Sequence, residues 1–149
     1  MKAITLLLIG FIINWTIPKI GSHPNYTAKK IVYNQVEPNL IGVWVMVKSE
    51  KDGFEFFDDS IREGYTYTYA KNGDFILDIR IVRQQTSELN LRIIDFPRFK
   101  WKAENGEIEI RAIDEHGKIF ATHVDYYNFS ADTLVIRNSN LTSYYLRKK

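Results

Sequence analysis

From about residue 40 onward, apolar and polar side chains alternate in short runs broken by turn residues. A period of two over 4–8 residues marks half-buried strands. Candidate strands fall at 40–49, 63–70, 74–83, 88–94, 98–103, 107–113, 118–129, 133–138 and 141–147. No amphipathic helical run of three or four turns interrupts them. Loops this short force sequential antiparallel neighbours. A long sheet with one apolar face removes its exposed edges by curling closed. The pattern predicts an all-β fold, an antiparallel up-and-down β-barrel of eight to nine strands.

Turn chemistry tests this reading, because a one-residue slip moves a whole strand's side chains to the other face. Tyr65, Tyr67 and Tyr69 share a face with Phe75, Leu77, Ile79 and Ile81 only if Lys71–Gly73 is a three-residue loop with a left-handed Gly73. Phe99 and Trp101 share a face with Ile108 and Ile110 if 101 pairs with 110 and 99 with 112, which leaves Asn105-Gly106 as a two-residue type I′ turn. A three-residue loop at Glu115–Gly117 then brings Phe120, Val124 and Tyr126 inward. A further one at Ser130–Asp132 aligns them with Leu134 and Ile136. On this register Asp125 and His123 face outward, with Asp125 opposite Arg137 as an exposed ion pair. The inner face is completed by Trp44, Leu89, Leu91, Ile93 and Tyr144.

The length of 149 residues fits one domain. With 45% hydrophobic residues the chain can fill a core, and 14% aromatics suits strands. The net charge of +2 comes from Lys2 and Lys19; of the 20 basic residues the 18 others equal the 18 acidic ones. A near-neutral domain carries no nucleic-acid signature. Lys2 is followed by the apolar run Ala3 to Ile13, a positive n-region and h-region. The run is shorter than the roughly 20 residues a spanning helix needs. Residues 1–22 are expected to be a signal peptide, cleaved near Gly21 or Ser22, with an uncleaved anchor as the alternative. Residues 23–39 form an arm or linker, and 40–149 the barrel. Export to the periplasm or medium follows. A membrane partner is expected only if the N-terminal segment is retained. The absence of cysteine excludes disulfides, thiolate metal sites and a cysteine nucleophile.

The first strand reads Leu40-Ile41-Gly42-Val43-Trp44, and Gly42-Val43-Trp44 resembles the G-x-W of lipocalins and related calycins. Aromatic Tyr67 to Tyr69, then Asn72 to Phe75, Asp132 to Arg137, and Tyr144 to Arg147 follow in the order of compact lipocalin-like domains of exported bacterial proteins. The resemblance covers about residues 40–147. It implies that Trp44 plugs the closed end of the barrel beneath a basic side chain, with Arg147 the matching candidate and Arg137 the other. It also implies a long first loop over the open mouth, here 49–62 with Phe54, Phe56 and Phe57. The disulfides and long C-terminal helix of larger lipocalins are missing.

A barrel of this size is either filled by side chains or left with room for one small ligand. The expected ligand contacts are Phe56, Tyr67, Tyr69, Leu77, Phe99, Trp101 and Tyr126. Gly42, Trp44 and Arg147 are expected to form the barrel-end plug. The three histidines (His23, His116 and His123) have no metal-ligand spacing, and no metal or other cofactor is implied. Nucleophile-elbow, P-loop and dinucleotide motifs are absent. The predicted inner face carries almost no ionisable group, which argues against an enzyme. The chain reads as a carrier or sensor of a small apolar molecule, or alternatively as an interaction or inhibitor module of the cell envelope with a filled barrel.

Overall fold

The computed structural model describes residues 37–56 and 59–149. The expected signal segment and most of the arm lie outside the described residues. The elements in chain order are β1 (Gly42–Lys51), β2 (Phe54–Phe56), α1 (Asp59–Arg62), β3 (Thr66–Tyr69), β4 (Asp74–Leu77), α2 (Ile79–Glu88), a 3-10 turn (Ile93–Asp95), β5 (Arg98–Glu104), β6 (Glu107–Ile113), β7 (Ile119–Ser130), β8 (Thr133–Asn138) and β9 (Leu141–Arg147). The sheet runs β2-β1-β3-β4-β5-β6-β7-β8-β9, and β1 also pairs with β9. Eight antiparallel strands therefore close into an up-and-down barrel, with β2 as a short extra strand folded back on β1.

The closure is pinned at the start of β1. Trp44 is paired with Arg147 across the β1–β9 seam. The Arg147 guanidinium lies 4.4 Å from the Trp44 ring centroid and donates to the carbonyls of Ile41 and Asn39. Arg147, not Arg137, thus covers the tryptophan. The Trp44 indole N–H donates to the Leu40 carbonyl at 2.8 Å, so the buried polar end of the ring is satisfied. Gly42 is required by this packing: a Cβ there would sit 2.5 Å from Arg147 Nη1, and its φ of +144° disfavours any side chain.

Two turns have the expected form. Tyr69 opposes Phe75 across Lys71–Gly73, with Gly73 at φ +81°. Glu104 opposes Glu107 across Asn105-Gly106, at φ +53° and +83°. The third departs from expectation. The Asp114 N–H bonds the Lys118 carbonyl, as a three-residue loop requires, and Ile113 opposes Ile119. A bulge then follows, so that Ala112 opposes Ala121 rather than Phe120. That single extra residue reverses β7. Phe120, Val124 and Tyr126 point outward, and Ala121, His123 and Asp125 point in. The last turn is a two-residue one at Ala131-Asp132, with Ser130 opposite Thr133, not the three-residue loop expected. The two one-residue shifts cancel, and Leu134 and Ile136 face the core as expected.

The region 78–95 also departs from expectation. The strand that begins at Asp74 stops at Leu77, and the segment 88–94 is not a strand. Asp78 accepts from the Arg80 N–H at 2.9 Å and caps α2. At the other end Asn90 takes φ +53°, with Leu91 N–H bonded to Thr86 and Asn90 N–H to Ser87, a Schellman closure. Ile81 enters the core, with Gln85 one turn further also buried. Ile79, Leu91 and Ile93, expected inside, are exposed. The apolar alternation from Phe75 to Ile81 is genuine, but the cap at Asp78 converts its second half to helical spacing.

Two outcomes are expected. Arg147→Leu should lower stability in urea by about 1–2 kcal/mol, the range of a well-placed cation–π contact, whereas Arg137→Leu should change it by less than about 0.5 kcal/mol. The Arg80 guanidinium, reinforced by the N–H groups of Arg80 and Thr66, holds the Asp78 carboxyl well below the usual carboxylate range. Its contribution is therefore whole above about pH 4 and lost as the pH falls further. Asp78→Ala should cost about 0.5–2 kcal/mol at neutral pH and flatten that acid limb in pH-dependent urea titrations.

Candidate functional site

Aromatic side chains fill the closed end of the barrel. The Tyr69 and Trp101 rings meet edge to face at 5.1 Å, Tyr67 stacks on Phe75 at 5.9 Å, and Tyr67 meets Tyr145 edge on at 5.6 Å. The Trp101 indole N–H donates to the Ala70 carbonyl at 3.0 Å. Of the expected ligand contacts, Tyr67, Tyr69 and Trp101 are brought together here as packed core. Tyr126 is not among them: it is 60% exposed on the outer face. The Phe56 side chain lies outside the described residues.

Leu77 and Phe99 line a different feature. β4 and β5 are paired only at Asp74–Lys100 and Phe75–Phe99, because α2 and the 3-10 turn carry the chain away between them. β5 and β6, joined by a tight turn, pair along seven residues. Where β4 and β5 part, a cleft of about 840 Å³ opens. Phe75, Leu77 and Phe99 line it from the two strands, Val82 from α2, Phe96 from the connection and Ile113 from β6. Its polar rim is Asp74, Arg98 and Lys100. Lys100 Nζ lies 2.5 Å from Asp74 Oδ1, and this ammonium holds the Asp74 carboxyl below its ordinary value. Arg98 makes no ion pair among the described residues, though its charge also acts on Asp74. A second cleft, about 690 Å³, lies beside Trp44 and Arg147 at the barrel-end plug.

The reversal of β7 places inside the barrel what was expected outside. Asp125 is 1% exposed. The His123 ring nitrogen Nε2 lies 2.7 Å from Asp125 Oδ1 and 2.8 Å from the side-chain amide of Asn138. A contact this short between a ring nitrogen and a carboxylate oxygen needs a proton between them. The Asn138 Nδ2 approaches the same ring nitrogen. Ser49 Oγ and Ser143 Oγ, 3.1 Å apart, add two buried hydroxyls. Burial first and the Asp125 charge second push the Tyr69 phenol well above its ordinary value. Burial does the same for Tyr145, with Tyr67, Tyr69 and Asp125 adding to it. The interior is thus not free of ionisable groups. Sequence reasoning missed the triplet because Phe120, Val124 and Tyr126 form the more apolar of the two β7 faces. The opposing signal was Tyr127 and Phe129 on the other face.

Among the described residues, no cluster of three or more His, Cys, Asp or Glu could hold a metal ion. No helix there is long and apolar enough to cross a membrane. Comparison with protein-family models, curated proteins and solved structures gives no match. The short β4–β5 pairing should be the barrel's weakest seam. Native-state hydrogen exchange should show the amides of β4 and of Arg98–Lys100 exchanging at least tenfold faster than those of the β6–β7 ladder. Equal protection along both seams would contradict this.

Proposed function

We propose that the protein is a lipocalin-like carrier or sensor that takes a small apolar molecule with an anionic end into the cleft between β4 and β5. The observation that carries this reading is the cleft itself, with its mainly apolar wall and Arg98 unpaired at its edge. Its size of about 840 Å³ falls in the usual range for small-molecule sites, roughly 300–1,000 Å³. Val82, on α2, forms part of the cover, so a modest shift of this helix admits or releases the guest. The expectation of a ligand deeper in the barrel is met less well, because Tyr67, Tyr69 and Trp101 pack against one another there. The Lys2–Ile13 pattern supports export of such a carrier.

A second reading, a non-enzymatic interaction module, is favoured by one observation. β7 presents Phe120, Val124 and Tyr126 to solvent as a single apolar row.

Titration with a fluorescent fatty-acid analogue tests the first reading. Binding in the micromolar range is expected. Val82→Trp, which fills the cleft, should weaken it at least tenfold, about 1.4 kcal/mol. Arg98→Glu should weaken it severalfold, and Phe120→Ser should leave it unchanged. No binding at high micromolar protein, or equal binding by Val82→Trp, would sink the proposal.

A further inference from the structure

Single exposed apolar side chains are ordinary on a folded surface, but a contiguous group of them asks for a partner. One such group surrounds the mouth of the cleft between β4 and β5. Ile76 and Ile79 line the cleft and are about half exposed. Phe96 and Pro97 line it from the connection to β5. The chain just before them holds Leu91 and Ile93, also about half exposed, and Ile94, which is 81% exposed. α2 and the 3-10 turn touch, so these side chains belong to one surface.

The tip that carries Ile93 and Ile94 is a tied turn. The Asp95 N–H donates to the Arg92 carbonyl at 2.9 Å, and the Phe96 N–H to the Ile93 carbonyl at 3.1 Å. The Asp95 carboxylate in turn accepts from the backbone N–H and the guanidinium of Arg92. Much of the turn's backbone and its acid are therefore already partnered, which lowers the cost of moving the tip out of bulk water.

Charge identifies what this surface meets. Three cations beside it are paired: Arg80 with Asp78, Arg92 with Asp95, and Lys100 with Asp74. Arg83 and Arg98 make no ion pair among the described residues, though Arg98 also acts on Asp74. Arg83 lies one turn beyond Ile79 on the exposed face of α2, and Arg98 lies on the rim of the cleft. Glu88, which accepts from Gln84, sits about two and a half turns from Ile79 and so on the far side of the helix. Exposed isoleucines flanked by arginines suit the interface of a negatively charged membrane, where apolar side chains enter the headgroup boundary and basic ones meet phosphate.

We propose that the surface formed by α2, the 3-10 turn and Ile76 docks on an anionic lipid bilayer. Ile93 and Ile94 enter the boundary between headgroups and acyl chains, Ile76 and Ile79 rest at its edge, and Arg83 and Arg98 meet lipid phosphates. This goes beyond the carrier reading, and it sets the mouth of the cleft against the layer in which apolar anions dissolve. It needs no retained N-terminal segment.

The chain has no cysteine, so Ile94→Cys and Leu146→Cys each give one position for an environment-sensitive fluorophore. Leu146 is also about half exposed, but it lies at the plug end beside Arg147, Lys148 and Lys149, where charge alone would draw the protein. With vesicles of equal parts phosphatidylglycerol and phosphatidylcholine, the full chain labelled at 94 should shift to the blue, and the chain labelled at 146 should not. Vesicles of phosphatidylcholine alone should bind at least tenfold more weakly, and added salt should weaken the anionic case. Arg83→Glu should weaken vesicle binding severalfold and leave binding of the fatty-acid analogue unchanged. No shift at 94, equal shifts at 94 and 146, or equal binding of neutral vesicles would overturn the proposal. So would a shift at 94 that grows with protein concentration in the absence of lipid, which would mark contact between two copies. Fatty-acid binding without vesicle binding would reject the docking surface and leave the reading of the cleft standing.

Discussion

Where the first and last strands meet, Trp44 lies under the Arg147 guanidinium, and the ladder of β1 and β9 continues from there to Lys51 and Leu141. The pairing removes both free edges of the barrel. Each interior side chain depends on it, because a sheet left open there would expose Met46, Tyr145 and the buried serines to water. Closure lets a chain without cysteine bury one core of aromatic and aliphatic side chains among eight strands while leaving the barrel no free edge between β1 and β9.

Within that closed frame, register decides chemistry. The bulge at the start of β7 is one residue of extra backbone, yet it exchanges Tyr126 for Asp125 and Val124 for His123 on the inner face. The barrel accepts the exchange because the His123 imidazole bonds the carboxylate and is itself held by the Asn138 amide. The cost appears on the outer side of the sheet, where Phe120, Val124 and Tyr126 stand in solvent. A strand arranged only for stability would have kept the other register, so both of its faces are places where function is to be sought.

The departure at α2 has a similar consequence. In an uninterrupted meander β4 and β5 would zip together as β5 and β6 do. Instead Asp78 caps a helix, the chain crosses the open end of the barrel, and the seam behind it shortens to two paired positions. The same event produces a cover, an apolar cleft and a buried glutamine. The closed end is held by the Trp44–Arg147 plug, and the capped helix lies beside the short β4–β5 seam. A low-stability element beside a rigid one is the usual arrangement for a binding site.

Local patterning in the sequence was enough to determine the barrel. Period-two alternation, the Gly73 loop, the Asn105-Gly106 turn and the Gly42–Trp44 start each depend on neighbours a few residues away, and together they admit one closed antiparallel sheet. The resemblance carried by Gly42-Val43-Trp44 pointed to the plug, and the β1–β9 pairing decided that Arg147 rather than Arg137 covers it. Only the tertiary structure decided which side of β7 faces inward and where β4 ends. Both are choices between near-equal local alternatives. The two β7 faces each carry aromatic residues, and the run from Phe75 to Ile81 suits a strand or the start of a capped helix. Those choices are settled by partners outside the local pattern: His123 by Asn138 on the neighbouring strand, and Asp78 by Thr66 on β3 together with its near neighbour Arg80. The residues that carry a candidate function lie at those two places, because there long-range hydrogen bonding outweighs the local preference.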